Sequence, residues 1–152
     1  YQQLSTAPSL NMTTFAEATQ LPAQPLPRLS AGSWVYGSFS TWIGSIDKNR
    51  GWDYLVAAKH AYDQTLAKGL LSTQQWESAT QQLAVCEGSD WFWWFGDYNA
   101  ADSVSDFEVL YRQQLSALYQ LLGLVSPDYL NYPLSYGGGN SENSGTMRRN
   151  VA

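Results

Sequence analysis

Apolar residues recur at helical spacing in three stretches of the chain, each with signals at its ends. From about Lys48 to Lys68 they fall at Trp52, Leu55, Val56, Tyr62 and Leu66, which predicts a helix with Asp47 as N-cap and Gly69 as its stop. From Thr73 to about Cys86 the stripe is Trp76, Ala79, Leu83 and Cys86, entered through a capping box of Ser72 and Gln75. From Asp106 to Leu122 it is Phe107, Leu110, Tyr111, Leu115, Leu118 and Leu122, with Ser105 and Glu108 as another box and Gly123 at the end. The short turn between the first two predicts antiparallel neighbours. The expected fold is all-α: a three- to four-helix bundle with an irregular, aromatic-rich N-terminal segment.

Ahead of these stripes the pattern is broken. Residues 10 to 20 predict one short helix, opened by a capping box of Thr14 and Glu17. Pro22, Pro25 and Pro27 then enforce an extended linker. Residues 32 to 44, GSWVYGSFSTWIG, suit a structured loop or short extended pieces. Pro127 and Pro133 bound a short final turn, and the Gly/Ser/Asn-rich residues beyond predict a flexible tail. The expected division is 1–31, a short helix and linker; 32–134, the helical region; and 135–152, the tail. Tyr1 in place of Met makes a fragment of a longer protein the expectation.

Composition narrows the classes. Charged residues are 14% of the 152, against about 25% in an ordinary soluble domain, while seven Trp and ten Tyr exclude a disordered chain. A net charge of −5 with eight scattered bases argues against nucleic acid and against an anionic membrane. No apolar run is long enough to span a bilayer, and the first residues lack the pattern of a signal peptide. The single cysteine, Cys86, excludes an internal disulfide and fits a reducing compartment, so a cytoplasmic location is expected.

Residues 87 to 102, EGSDWFWWFGDYNAAD, carry the chemistry. They hold four acids, and no Lys or Arg falls between 87 and 111. Five rings stand consecutively at 91 to 95. At 100° per residue they point around a whole helix circumference, so some must meet another surface or a ligand. Sugars stack C–H faces on such rings and need fixed acceptors for their hydroxyls. Trp91, Trp93 and Trp94 beside Glu87 and Asp90 meet that requirement; a large aromatic plug closing one end of the bundle is the structural alternative. Glu87 and Asp90 do not form a glycosidase pair. Three apart on one helix, they would approach an anomeric carbon from the same side, whereas acid and nucleophile must approach from opposite sides.

The segment Glu87-Gly88-Ser89-Asp90-Trp91-Phe92-Trp93-Trp94-Phe95-Gly96-Asp97 resembles the last conserved region of glycoside hydrolase family 57. Phe107 to Leu115, then Leu118-Tyr119, resemble the helix that follows it there. Gly32-Ser33-Trp34, Trp42-Ile43-Gly44, Asn49 and Trp52-Asp53 resemble the entry to that family's helical region, so the likeness covers residues 10 to 134 in order. The resemblance implies retaining enzymes of amylase or branching-enzyme type acting on α-linked glycans. It also implies a seven-stranded (β/α) barrel that carries both catalytic carboxylates and a helical region on the barrel mouth. This chain has no room for a barrel, so it is expected to hold no catalytic residue, metal or cofactor. Its partners would be the upstream barrel of the same parent chain and an α-linked oligo- or polysaccharide. The substrate-contacting positions carried over are Asp90 and Trp91, then Trp94, Glu87 and Trp34. Asp97-Tyr98-Asn99 departs from the family, which has a second acid and a His there. A stand-alone carbohydrate-binding module and a helical protein-interaction domain are the alternative functions.

Other residues have plainer readings. His60 lacks partners at metal-ligand spacing and reads as a surface side chain. Cys86 lies on an apolar stripe as a small hydrophobe. Asp97, Asn99 and Asp102 lack the Gly and terminal Glu of a calcium loop and read as an exposed acidic loop. Gly137-Gly138-Gly139 reads as linker, Trp52 and Trp76 as core, and Arg112 as the helical partner of Asp106 or Glu108.

Overall fold

The computed structural model describes residues 1–139. It is all-α: 53% of the described residues are helical and none of them forms a strand. The elements are α1 (Gln2–Ser5), α2 (Phe15–Ala18), α3 (Ile46–Ala67), α4 (Thr73–Cys86), α5 (Asp90–Trp94), α6 (Ala101–Leu121) and a 3-10 turn at Asp128–Asn131. The chain separates into two compact units, Tyr1–Ala31 and the remainder from Gly32 onward.

In the first unit the Thr14 side chain accepts the Glu17 N–H while the Glu17 carboxylate accepts the Thr14 N–H, completing the predicted box. The helix behind it runs only one turn. In the second unit α6 packs against α4, α3, α5 and the 3-10 turn. The core between them includes Leu55, Ala58, Leu83, Cys86, Phe92, Tyr111, Leu115 and Leu118. Ser72 and Gln75 cap α4 reciprocally, as the sequence predicts. Gly69 and Gly123 follow α3 and α6 with φ of 64° and 71°, the left-handed geometry that ends a helix without Cβ strain.

Several boundaries and faces differ from the sequence reading. The α3 helix starts at Ile46 with Ser45 as N-cap, so Asp47 lies inside the first turn. Its buried positions are Lys48, Gly51, Leu55, Ala58, Tyr62 and Thr65, a stripe of alternating three and four steps. Val56 and Leu66 stand outside it and are exposed. The helix is sunk on its small side: a Cβ on Gly51 would come 2.9 Å from the Phe95 ring and 3.3 Å from Phe92. The α6 helix begins at Ala101, not Asp106, because Val104 extends the apolar stripe by a turn and is fully buried. Ser105 and Glu108 therefore form no cap. Glu108 is buried and pairs through both carboxylate oxygens with Arg112, at 2.7 and 2.9 Å. Trp76 is 42% exposed and is not core; its indole donates to the Tyr62 hydroxyl at 3.1 Å.

Residues 135–139 are not a free tail. Ser135 is buried, accepts the Gly96 N–H at 3.0 Å and donates to Asp47 at 2.9 Å. Gly137–Gly139 lie against the backbone of 97–101, and the Gly138 and Gly139 amides donate to Asp97 and Asn99 carbonyls. Side chains there would collide, since a Cβ on Gly139 would meet the Tyr98 carbonyl. Residues 140–152 of the predicted tail lie outside the described residues.

Candidate functional site

The aromatic run is a single turn of helix set between two helix ends. The α4 helix stops at Glu87, Gly88 and Ser89 turn the chain, and α5 carries Asp90 to Trp94. One turn cannot bury five rings, and here it divides them. Phe92 and Phe95 are fully buried: Phe92 stacks face to face on Trp52 at 3.9 Å and meets Tyr111 edge-on at 5.7 Å. Trp91, Trp93 and Trp94 are only half-buried. Trp93 lies nearly parallel to Trp34, with centroids 6.4 Å apart and planes 17° from parallel, and takes Trp42 on its edge. Trp94 stacks on Phe107 at 4.8 Å.

The loop that brings Trp34 to Trp93 is held locally. Ser33 Oγ accepts the Val35 N–H at 3.1 Å and contacts the Ser38 carbonyl, while the Val35 side chain is buried beneath. This anchoring leaves Trp34 77% exposed although its orientation is defined. Such exposure of an indole is uncommon away from a contact surface.

The C-terminal carbonyls of α5 have no helical donors, and three side chains supply them. Asn99 Nδ2 donates to Trp93 and Trp94 oxygens at 3.1 and 2.8 Å. The Tyr98 hydroxyl donates to Trp93 at 3.3 Å. Lys48 Nζ reaches the Phe92 carbonyl at 2.5 Å and, across the gap, the Thr41 carbonyl at 2.5 Å. Burial brings the Lys48 ammonium down from its ordinary range to about 7, against the pull of Asp47. Burial also raises the Tyr98 hydroxyl to about 12.

The five predicted contact residues are thereby separated. Trp34 and Trp94 present ring surface, and Asp90 is exposed one turn before Trp94 on the same helix. Trp91 is turned inward: its N–H donates to the Val85 carbonyl at 2.8 Å and its ring leans on Tyr111 and Phe107. Glu87 is exposed but borders a groove of about 320 Å³ on the α3 side, with Trp52, Val56, Lys59, His60 and Asp63. Glu87 caps α4 while Asp90 opens α5, so the two acids do not share a helix as the spacing argument assumed. Asn99 is buried and belongs to the support of α5, not to an exposed acidic loop. His60 is exposed and Cys86 is buried, its thiol raised by burial to about 11. Lys48 is the residue the sequence did not single out, whereas Trp93 stands among the candidate stacking rings and Trp42 among the residues of the family resemblance. Lys48 falls in register with Leu55 and Tyr62 on α3, the one available signal. Among the described residues no group of three His, Cys, Asp or Glu side chains is placed to hold a metal, and no helix is long and apolar enough to cross a membrane. No family model, curated protein or solved structure matches the chain.

Proposed function

We propose that this chain lines the sugar-binding cleft of a retaining, α-glycan-active glycoside hydrolase resembling family 57, in the cytoplasm. The catalytic carboxylates belong to a barrel elsewhere in the parent polypeptide. One observation carries the reading: Trp34 is held flat on Trp93 with its outer face open to solvent. An exposed indole backed by a second ring offers a pyranose ring its C–H contacts. Trp94 on Phe107 adds a second stacked surface, and the Asp90 carboxylate, exposed on the same turn, can accept sugar hydroxyls.

The contact with a barrel is supported by the segment following Trp34. Phe39 and Ile43 are about half exposed and Ile46 is 76% exposed, more apolar surface than a water-facing loop requires. A partner domain covering that surface would bring the rings to the edge of its own cleft. The test uses the whole product of the open reading frame that encodes this chain. Trp34→Ala and Trp94→Ala should raise KM for maltooligosaccharides at least several-fold and lower kcat much less. Absence of α-glucan turnover by the whole product, or unchanged KM in both variants, would reject the proposal. A stand-alone binding module would instead hold oligosaccharide with undiminished affinity after the rest of the product is removed. Self-association lost in both variants would favour a protein-interaction surface.

A further inference from the structure

Lys48 has no exposed surface, and its ammonium sits where the ring array is joined together. It bridges the Thr41 carbonyl, in the loop that carries Trp34 and Trp42, to the Phe92 carbonyl of α5. Trp93 oxygen lies at 3.5 Å and the Tyr98 ring centroid at 5.1 Å. These groups suit a cation, yet none carries a full negative charge. Among the described residues no carboxylate lies within 4 Å of Nζ. The loop from 32 to 45 contributes no ionisable side chain except Tyr36. On α5 the only acid is Asp90, at the opposite end from the Phe92 and Trp93 carbonyls. Asp47 and Arg50 stand beside it on α3, and Asp97 with Tyr98 follow α5 in the chain. Asp47 accepts from Ser135 and lies 3.6 Å from Arg50, so its charge is shared elsewhere.

A buried cation whose desolvation outweighs the pull of its nearest carboxylate, here Asp47, gives up its proton more readily than the same group in water. We propose that assembly of the Trp34–Trp93–Trp42 array is proton-linked through Lys48: seating the side chain favours loss of a proton from Nζ to solvent, and acidification favours the unseated, open loop. The desolvation-driven fall of the Lys48 pKa to about 7 agrees with this. The sign follows from linkage. An exposed Lys48 keeps its proton up to about pH 10.4, so above about pH 7 the open state binds more protons than the seated one. Raising the pH through that window therefore tightens the array. Below it both states are protonated and the dependence vanishes. As regulation of the stacking face this rests on the functional reading above, but the proton linkage itself does not involve sugar.

The chain has three lysines, Lys48, Lys59 and Lys68, so 13Cε-labelled lysine gives three signals. Lys59→Arg and Lys68→Arg assign two of them, which leaves Lys48 identified even where Lys48→Met does not fold. The expected result is that the Lys48 signal titrates near pH 7, apart from the other two, with the near-UV circular dichroism of the coupled indoles changing at that midpoint. That change should persist in His60→Gln, which removes the exposed histidine of the same helix. Three signals titrating together at high pH would overturn the proposal, as would an indole spectrum that stays flat while Lys48 titrates. If the linkage holds, a maltooligosaccharide titration at pH 6.5 and 9 separates the two ideas. Tighter binding at the higher pH supports both, and no binding at either rejects only the sugar reading.

Discussion

Replacing Phe92 with alanine should destabilise the helical unit far more than replacing Trp34, although the second ring is larger. Phe92 is fully buried, stacks on Trp52, and meets Phe95 and Tyr111 on their edges. Its ring also fills the space left by Gly51. Truncation removes that area from the core and leaves a cavity between α3, α5 and α6 that their backbones cannot close. The expected loss is about 3–5 kcal/mol. With a urea dependence of about 2 kcal/mol per M, the unfolding midpoint drops by about 2 M. Trp34, 77% exposed, has little buried area to lose beyond its contact with Trp93, so Trp34→Ala should cost at most about 1 kcal/mol. Urea unfolding followed by far-UV circular dichroism measures both. Equal losses, or a Phe92→Ala variant within 1 kcal/mol of the parent, would mean that the turn is not divided into anchoring and presenting rings.

Gly51→Ala pits helix propensity against packing. Propensity alone offers a gain of about 1 kcal/mol mid-helix, but the added methyl meets the Phe95 ring at 2.9 Å, so a net loss in thermal midpoint is expected. Glu108→Gln removes the charge opposite a guanidinium that also donates to the Leu130 carbonyl, and it weakens the acceptor for the Leu134 N–H. A loss of about 3–5 kcal/mol in urea unfolding is expected, and a loss near zero would show that the pair is dispensable. Cys86, buried with its thiol raised to about 11, should resist a thiol reagent at pH 8 in the native protein and react at once in urea; rapid native labelling would contradict its burial.

Much of the framework was legible in the residues, because it rests on local rules. Ser72 with Gln75, Thr14 with Glu17, and the glycines at 69 and 123 each act within a few residues of where they stand. What was hidden depends on contacts between distant segments. Lys48 and Gly51 are polar or small, so a hydrophobic stripe passes over them; they are buried because Phe92 and Phe95 arrive from more than forty positions away. Ser105 and Glu108 have the spacing of a cap, yet the burial of Val104 carries the helix through them. At the candidate site the ring-rich turn was recognisable, but its sorting was not. Trp91 turns inward because Val85 offers a carbonyl, while Trp93 faces out because the loop around Ser33 sets Trp34 against it. Such choices are made by acceptors and neighbours that no local spacing encodes.

The most direct measurement is the behaviour of the seven indole N–H signals during a titration with maltoheptaose to millimolar concentration. The account predicts that the signals of Trp34, Trp93 and Trp94 move together in a saturable way while those of Trp52 and Trp91 stay in place. A spectrum in which none of the three responds, or in which Trp52 responds first, would contradict it.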